Sequence, residues 1–132
     1  MARILLIDDD DDLRTMLRRV LTLSGHTVVE ARNGEEGLAL FPQAAADLVI
    51  TDIVMPGKEG LEVLMALRKK HPPVKIIAIS GGGRGDATDY LHLAKQMGAA
   101  RVLSKPFSND ALMSAIAAVL GSAAAPIIPP PS

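Results

Sequence analysis

Cysteine and tryptophan are absent from the 132-residue sequence, and the other aromatic residues are scarce, with one tyrosine and two phenylalanines. Without cysteine the chain can form no disulfide, no zinc–thiolate site and no thiol nucleophile. So few aromatic rings argue against a surface on which nucleic-acid bases or a flavin would stack. Any chemistry must therefore come from carboxylates, hydroxyls, amines or imidazoles.

An excess of charge of either sign is also absent, because 14 Lys and Arg residues nearly balance 15 Asp and Glu residues. This balance argues against a basic surface for direct nucleic-acid binding. A transmembrane helix needs about 20 apolar residues, and no apolar run in the sequence approaches that length. The apolar run near the start is too short, and the residues after it too acidic, for a signal peptide. We therefore expect a cytoplasmic protein that does not insert into membranes.

Five short runs rich in β-branched and apolar residues alternate with amphipathic segments of helical period. The runs are Ile4–Ile7, Thr27–Ala31, Leu48–Thr51, Lys75–Ile79 and Arg101–Leu103. The second run is the most polar, which is typical of an edge strand. The helical segments include Leu17, Leu38, Leu64, Leu91 and Ile116. Five alternations predict an α/β fold, a doubly wound five-stranded parallel sheet with five helices.

Polar and glycine residues mark the predicted helix ends. Asp11 or Asp12 is placed to cap the first helix, and Gly25 to end it. Gly121 is placed to end the last helix. The Ala/Pro-rich stretch that follows predicts one domain over residues 1–121 and a disordered tail over 122–132.

The most conspicuous feature is a run of five aspartates, Asp8 to Asp12, directly after the first apolar run. Two further strands end at Asp52 and Ser80, and Lys105 closes the fifth. The carboxyl ends of parallel strands lie at one edge of the sheet, where open α/β sheets bind their ligands. We therefore expect these groups to converge there, whereas Asp11 and Asp12 are better placed to start a helix.

The expected constellation suits phosphoryl transfer. Two or three carboxylates can hold Mg²⁺, which prefers oxygen ligands. One carboxylate is then free to attack phosphorus, and the metal, Lys105 and Ser80 can neutralise the phosphoryl oxygens.

These motifs together resemble the response-regulator receiver domain of two-component signalling, in a form similar to a stand-alone chemotaxis regulator. The matching segments are Ile4-Leu5-Leu6-Ile7-Asp8-Asp9-Asp10, Asp52-Ile53-Val54-Met55-Pro56 with Gly60, Ile79-Ser80 and Lys105-Pro106-Phe107. The resemblance covers residues 3 to about 120. It implies the flavodoxin-like strand order 2-1-3-4-5.

The resemblance also implies a role for each matched residue. Asp52 is the phosphoacceptor, Ser80 the switch hydroxyl and Lys105 the phosphate-binding lysine, followed by a cis bond to Pro106. Mg²⁺ is bound by Asp9, Asp52 and the backbone carbonyl of Val54, and by Asp8 mostly through water.

For partners, the resemblance implies a histidine kinase or histidine phosphotransfer protein as donor and a protein target downstream. Catalysis is expected to be limited to the chain's own phosphorylation and dephosphorylation, in a monomer or a phosphorylation-dependent dimer. The output surface is expected around the fourth helix, the fifth strand and the fifth helix. One departure from the family is Val102, where a tyrosine or phenylalanine is usual.

Two alternatives fit parts of the same pattern. A haloacid-dehalogenase-type phosphatase would use a D-x-D nucleophile after the first strand, which Asp8 and Asp10 can mimic, although no cap domain is evident. A pseudo-receiver would be a binding module that is never phosphorylated, and Val102 keeps that alternative open.

Overall fold

The computed structural model describes residues 2–52, 59–70, 74–80, 99–104 and 107–124, and there the predicted alternation of strands and helices is confirmed. The strands are β1 (Arg3–Ile7), β2 (Thr27–Ala31), β3 (Leu48–Asp52), β4 (Lys75–Ser80) and β5 (Arg101–Ser104). The helices are α1 (Asp11–Leu23), α2 (Gly34–Ala44), α3 (Glu59–Lys70) and α4 (Asn109–Ala124). The α4 helix is the fifth one predicted. The fourth, which includes Leu91, lies outside the described residues.

All strand pairs in the sheet are parallel, and the strand order is β2-β1-β3-β4-β5. This confirms the flavodoxin-like order and places the polar strand β2 at an edge. From β1 the chain goes to β2 on one side and then crosses to β3 on the other side, after which the strands follow one another to β5. The carboxyl ends of β1 and β3 are therefore neighbours at the switch point, where such sheets bind ligands.

Each face of the sheet carries its own hydrophobic core because side chains alternate along a strand. One core joins the sheet to α2 and α3 through buried residues that include Leu5, Ile7, Val49, Ile76, Val63, Leu64 and Leu67. The other joins the opposite face to α1 and α4 through Ile4, Leu6, Leu48, Ile50, Ile77, Leu17, Leu21, Leu112 and Ile116. Of the helices in the described part of the chain, two lie on each face, which gives the three-layer arrangement that the apolar strands predict.

The ends of α1 show one confirmed and one wrong prediction. The N-cap is Asp10 rather than Asp11 or Asp12, because the Asp10 side chain accepts the Leu13 N–H at 3.1 Å. Asp11 and Asp12 form the first helical turn, where carboxylates are favoured by the helix dipole. At the other end Gly25 follows the C-cap at φ 96° and donates its N–H to Thr22, as predicted for a glycine stop.

The last helix ends later than predicted. The Ser108 hydroxyl accepts the Ala111 N–H at 3.0 Å and so caps the first turn of α4. The helix then continues through Gly121 to Ala124, three residues into the predicted tail. A glycine costs only about 1 kcal/mol inside a helix, and the alanines that follow are the best helix formers. Residues 125–132, the rest of the predicted tail, lie outside the described residues.

Helix α2 approaches the sheet closely at Gly37. A Cβ atom added to Gly37 would lie 2.8 Å from Cγ1 of Ile7, and closer still to its Cδ1. Ile7 is fully buried, so its side chain has little room to move. The helix is fixed in place at its start by Asn33, whose side chain accepts the Glu36 N–H at 2.8 Å.

We expect Gly37→Ala to destabilise the fold although alanine is the better helix former. Overpacking costs about 1–3 kcal/mol in a dense core, which exceeds the about 1 kcal/mol gained in helix propensity. The urea midpoint of unfolding should fall, and it should fall less in an Ile7→Val background, which lacks Cδ1. A rise in the midpoint, as helix propensity alone would give, would contradict this packing.

His26 is partly buried at the amino edge of the sheet. Its Nδ1 atom accepts the Ala2 N–H at 3.1 Å, and Thr27 donates its N–H to the Ala2 carbonyl at 2.9 Å. Accepting at Nδ1 leaves the ring neutral with its proton on Nε2. Burial lowers the pKa of His26 below its usual value of 6.5.

The lowered pKa predicts a loss of stability in mild acid. Below pH 6.5 the unfolded chain binds a proton at His26 that the folded protein does not yet bind. This contribution is therefore complete above that pH and is lost as pH falls through the folded-state pKa. Urea midpoints at about pH 7.5 and about pH 5 should differ more in the wild type than in His26→Asn, whose side-chain oxygen keeps an acceptor without titrating. Equal differences would refute the prediction.

Candidate functional site

Three aspartates meet at the carboxyl edge of the sheet. Asp8 directly follows β1, Asp52 is the last residue of β3, and these two strands pair in register from Ile4 to Ile7. Carboxylate oxygens of Asp8, Asp9 and Asp52 all lie within 4.8 Å of one another. The structure thus brings together residues that are more than forty positions apart in the sequence.

The three carboxylates differ in their exposure to solvent. Asp8 and Asp52 are 1% and 4% exposed, whereas Asp9 faces solvent. Negative charges this close repel one another, and the repulsion is strongest where water is excluded. A cation that enters from the Asp9 side would relieve it.

The donor set fits Mg²⁺. Octahedral Mg²⁺ binds oxygen at about 2.0–2.1 Å, so opposite ligands are about 4.2 Å apart. Three oxygens within 4.8 Å need only small side-chain shifts to reach that geometry. Carboxylates are also the hard oxygen ligands that this ion prefers. The residues that could hold the ion are therefore Asp8, Asp9 and Asp52.

The loop between β1 and α1 is fixed by its own hydrogen bonds. The Asp8 N–H donates to the Ala31 carbonyl on β2 at 3.2 Å. The Asp10 N–H donates to Oδ1 of Asp8 at 2.9 Å, while the Asp10 side chain caps α1. Asp10 therefore shapes the acidic loop and caps the helix.

Arg14 is a member of this region that sequence reasoning missed. It is 8% exposed, and its guanidinium donates to the Asp8 carbonyl, to Asp11 and to Glu30. Burial by itself lowers the pKa of Arg14, but the hydrogen bonds to the two carboxylates outweigh it and raise the pKa above its usual value. The residue is therefore a permanent cation beside the acidic loop.

A signal for Arg14 was present in the sequence. Its position is three residues before Leu17 and seven before Leu21, and both leucines belong to the buried stripe of α1. Residues at this spacing share one face of a helix. A charged residue on that stripe must be paired, which marks it as a candidate for a structural or functional role.

The backbone also places the strand ends at which Ser80 and Lys105 were predicted to act. Ser80 is the last residue of β4 and pairs with Ser104, the residue before Lys105. Asp52 pairs with Ile79 on the neighbouring strand, so Ser80 lies one residue further toward the carboxyl edge. The Ser80 side chain, Lys105, the bond to Pro106 and the Val54 carbonyl lie outside the described residues. Their roles stay predictions.

Val102 occupies the position on β5 where the receiver family usually has an aromatic residue. It is half-buried, lies opposite Ala78 on β4 and packs against the core beneath α2 and α3. An isopropyl group has no ring to turn between an outward and an inward position. The structure gives Val102 a packing role on this edge strand.

The fold and the acidic site together define a doubly wound α/β protein with a carboxylate-lined site at the switch point of its sheet. Residues 4–117 match the family model of the response regulator receiver domain, and the chain belongs to this family. Receiver domains are signalling domains that take phosphoryl groups from histidine kinases and bind Mg²⁺ at an acidic pocket. The match favours a signalling protein over a dehalogenase-type phosphatase.

Curated relatives differ in how much of their length the chain covers. It is 36% identical over 120 residues to the transcriptional regulatory protein CpxR of Escherichia coli K12, a match that covers 91% of this chain and 50% of CpxR. The chain thus spans about half the length of that relative. It is 38% identical over 120 residues to the protein PilH of Pseudomonas aeruginosa, which covers 91% of this chain and 98% of PilH.

Solved structures agree with the fold. A response regulator receiver domain protein from Clostridium thermocellum superposes with a TM-score of 0.85 at 32% identity, over 94% of this chain and 98% of that one. The response regulator TrrA from Thermotoga maritima was solved in complex with Mg²⁺ and BeF. It gives a TM-score of 0.78 at 36% identity, and the match covers 90% of this chain and 99% of TrrA. Among the described helices, none is long and apolar enough to cross a membrane.

Proposed function

We propose that this chain accepts a phosphoryl group on Asp52 from a phosphohistidine donor, with Mg²⁺ bound at the same site, and that phosphorylation switches a protein-binding surface. The observation that carries the proposal is the convergence of Asp8, Asp9 and Asp52 at the switch point of a receiver fold. The donor would be a histidine kinase or a histidine phosphotransfer protein.

Asp52 is the better nucleophile of the two buried carboxylates. Asp8 lies in a loop that is held by hydrogen bonds to Asp10 and to β2, which suits it to orienting a metal or its water. Asp52 ends the central strand β3 and lies beside β4, which ends at Ser80. It is therefore the carboxylate nearest to the groups proposed to bind phosphate.

The proposed reaction is a transfer between two acceptors. A carboxylate oxygen of Asp52 forms a bond to phosphorus, and the bond from phosphorus to the donor's imidazole nitrogen breaks. The electron pair of that bond stays on the imidazole. The ring is left neutral if its other nitrogen carries a proton, and otherwise it takes up a proton from water to become neutral. Bound Mg²⁺ would supply charge neutralisation at the phosphoryl oxygens.

Three further groups are proposed to complete the site. The Lys105 ammonium, on the residue after β5, would pair with a phosphoryl oxygen. The Ser80 hydroxyl would hydrogen-bond to another phosphoryl oxygen, and its movement would couple phosphorylation to the rest of the domain. The backbone carbonyl of Val54 would be a further metal ligand, two residues after the nucleophile.

The output is proposed to be a change in protein contacts. The surface would involve the predicted fourth helix, β5 and α4, with the Ser80 hydroxyl turning toward the phosphate. Coverage of 98% of PilH supports a regulator that acts without a second domain. Its location in the cytoplasm and its lack of direct DNA contact stay predictions from the sequence. Coverage of only half of CpxR leaves attachment to an output domain as the competing arrangement.

Phosphotransfer with and without Mg²⁺ tests the proposal. The purified chain is incubated with acetyl phosphate, or with a panel of phosphorylated histidine kinases, and incorporation is followed by intact-mass spectrometry. We expect one phosphoryl group per chain in Mg²⁺ and none after chelation by EDTA. No incorporation from any donor in Mg²⁺ would refute the proposal and favour a pseudo-receiver.

A further inference from the structure

We propose that Arg14 is a positioning residue for the Mg²⁺ site, because it holds the backbone of Asp8 in the orientation that turns the Asp8 and Asp9 carboxylates toward Asp52. The inference rests on the proposed function, since it concerns the same metal site. Arg14 itself contacts neither the metal nor the phosphoryl group in this proposal.

The guanidinium of Arg14 uses its planar fork on three acceptors at once. Nη1 donates to the Asp8 carbonyl at 2.8 Å, Nη2 to Oδ1 of Asp11 at 2.6 Å, and Nε to Oε1 of Glu30 at 3.0 Å. The three donors lie in one rigid plane, so three bonds fix the position of the group. The bond to Asp8 is buried, which makes its loss costly because the carbonyl would be left without that donor.

Both backbone polar groups of Asp8, its N–H and its carbonyl, are consequently hydrogen-bonded. Its N–H donates to the Ala31 carbonyl, and its own carbonyl accepts from Arg14. Both supports lead to the edge strand β2, the first directly and the second through Glu30. With both peptide groups fixed, the Asp8 side chain and the following residue, Asp9, have little freedom to turn away from the site.

Glu30 is itself held by a second arginine. Its Oε2 atom accepts from Nε of Arg18 at 2.8 Å while Oε1 accepts from Arg14. Arg18 is half-exposed, whereas the Arg14 side chain is 10% exposed. The surface pair therefore orients Glu30, and Glu30 orients the buried arginine. Arg18 offers a matched control because it shares the partner but does not reach Asp8.

A positioning role differs measurably from a purely structural one. Groups that orient the ligands of a metal without touching it typically change metal affinity about 10–100-fold when they are removed. A residue that only stabilises the fold changes the unfolding midpoint and leaves the affinity of the folded protein unchanged. Mg²⁺ affinity, measured well below the unfolding temperature, separates the two.

The experiment measures the Mg²⁺ dissociation constant by isothermal titration calorimetry for the whole chain and four variants. We expect Arg14→Gln to raise the constant about 10–100-fold. Arg14→Lys should raise it less, because a single ammonium keeps the charge but cannot form the fork. Arg18→Gln should change it less than about twofold, as exposed ion pairs contribute little. Ile116→Ala, a core change on α4, should lower the unfolding midpoint without changing the constant.

Each result decides a different point. If the wild-type chain binds no Mg²⁺, the proposed function fails and this inference fails with it. If the wild type binds and both Arg14 variants bind equally well, the inference alone is overturned. An equal loss of affinity in Ile116→Ala would also overturn it, because destabilisation would then explain the effect. If Arg14→Gln does not fold, Arg14→Lys decides by the same comparison with Arg18→Gln.

Discussion

Replacing Asp52 with asparagine is expected to abolish phosphorylation by acetyl phosphate and by every phosphohistidine donor. An amide oxygen is far less nucleophilic than a carboxylate, so no phosphoryl bond should form at position 52. The two side chains have nearly the same shape, which should preserve the packing around a residue that is 4% exposed. Incorporation is followed by intact-mass spectrometry, in parallel with circular dichroism to confirm folding.

Asp47→Asn is the matched control for this change. Asp47 lies just before β3, at the opposite end of the strand that Asp52 closes, and its side chain accepts the Arg3 N–H at 2.9 Å. An asparagine oxygen can keep that hydrogen bond, so phosphorylation should remain at the wild-type level. Full incorporation in Asp52→Asn, with loss in Asp8→Asn, would instead indicate a nucleophile after the first strand, as in the phosphatase alternative.

Within the aspartate run, Asp9→Asn should weaken Mg²⁺ binding strongly, whereas Asp12→Asn should not. Both residues are exposed, and they are only three positions apart, so the two changes alter surface charge in nearly the same way. Asp9 shares the site with Asp8 and Asp52, while Asp12 lies in the first turn of α1. We expect the dissociation constant to rise at least about tenfold in Asp9→Asn, since loss of a direct ligand should cost no less than loss of an orienting group.

The Asp12→Asn result separates local chemistry from long-range charge. Asp12 faces solvent, where water and salt weaken the interaction between charges, so Asp12→Asn should change the constant less than about twofold. Its own effect should be a small loss of helix stability, of about 0.3–1 kcal/mol. Equal weakening in both variants would show that the run acts only through its summed charge, and would contradict a site built on Asp8, Asp9 and Asp52.

The strands could be predicted because the information that specifies them is local and redundant, whereas their order was implied by the receiver resemblance. Apolar runs such as Leu48–Thr51 are too short and too β-branched for helices, and the structure extends that strand by one residue to Asp52. The convergence of Asp8 with Asp52 follows from topology alone, since both follow buried parallel strands. For these features the sequence pattern and the receiver resemblance point to the same arrangement.

Contacts between elements distant in sequence could not be predicted. The place of Arg14 on the buried stripe of α1 can be read from the sequence, but its hydrogen bonds to Glu30 on β2 and to the Asp8 carbonyl cannot. The close approach of Gly37 to Ile7 likewise depends on how α2 packs on the sheet. His26 is partly buried because the chain before β1 lies beside it.

The aspartate run shows how one sequence feature divides into separate tasks. Asp8 and Asp9 lie in the acidic site with Asp52, Asp10 caps α1, and Asp11 pairs with Arg14 in the first helical turn. Asp12 completes that turn. Like charges can follow one another here because the chain turns between β1 and α1 and directs them to different partners.

The most direct test of the account is to locate the phosphorylated residue. The chain is phosphorylated in Mg²⁺ and reduced with borohydride, which converts an aspartyl phosphate to homoserine, and its peptides are then sequenced by mass spectrometry. We expect homoserine at position 52 and none when Mg²⁺ is chelated before phosphorylation. Homoserine at position 8, or at any aspartate other than Asp52, would contradict it.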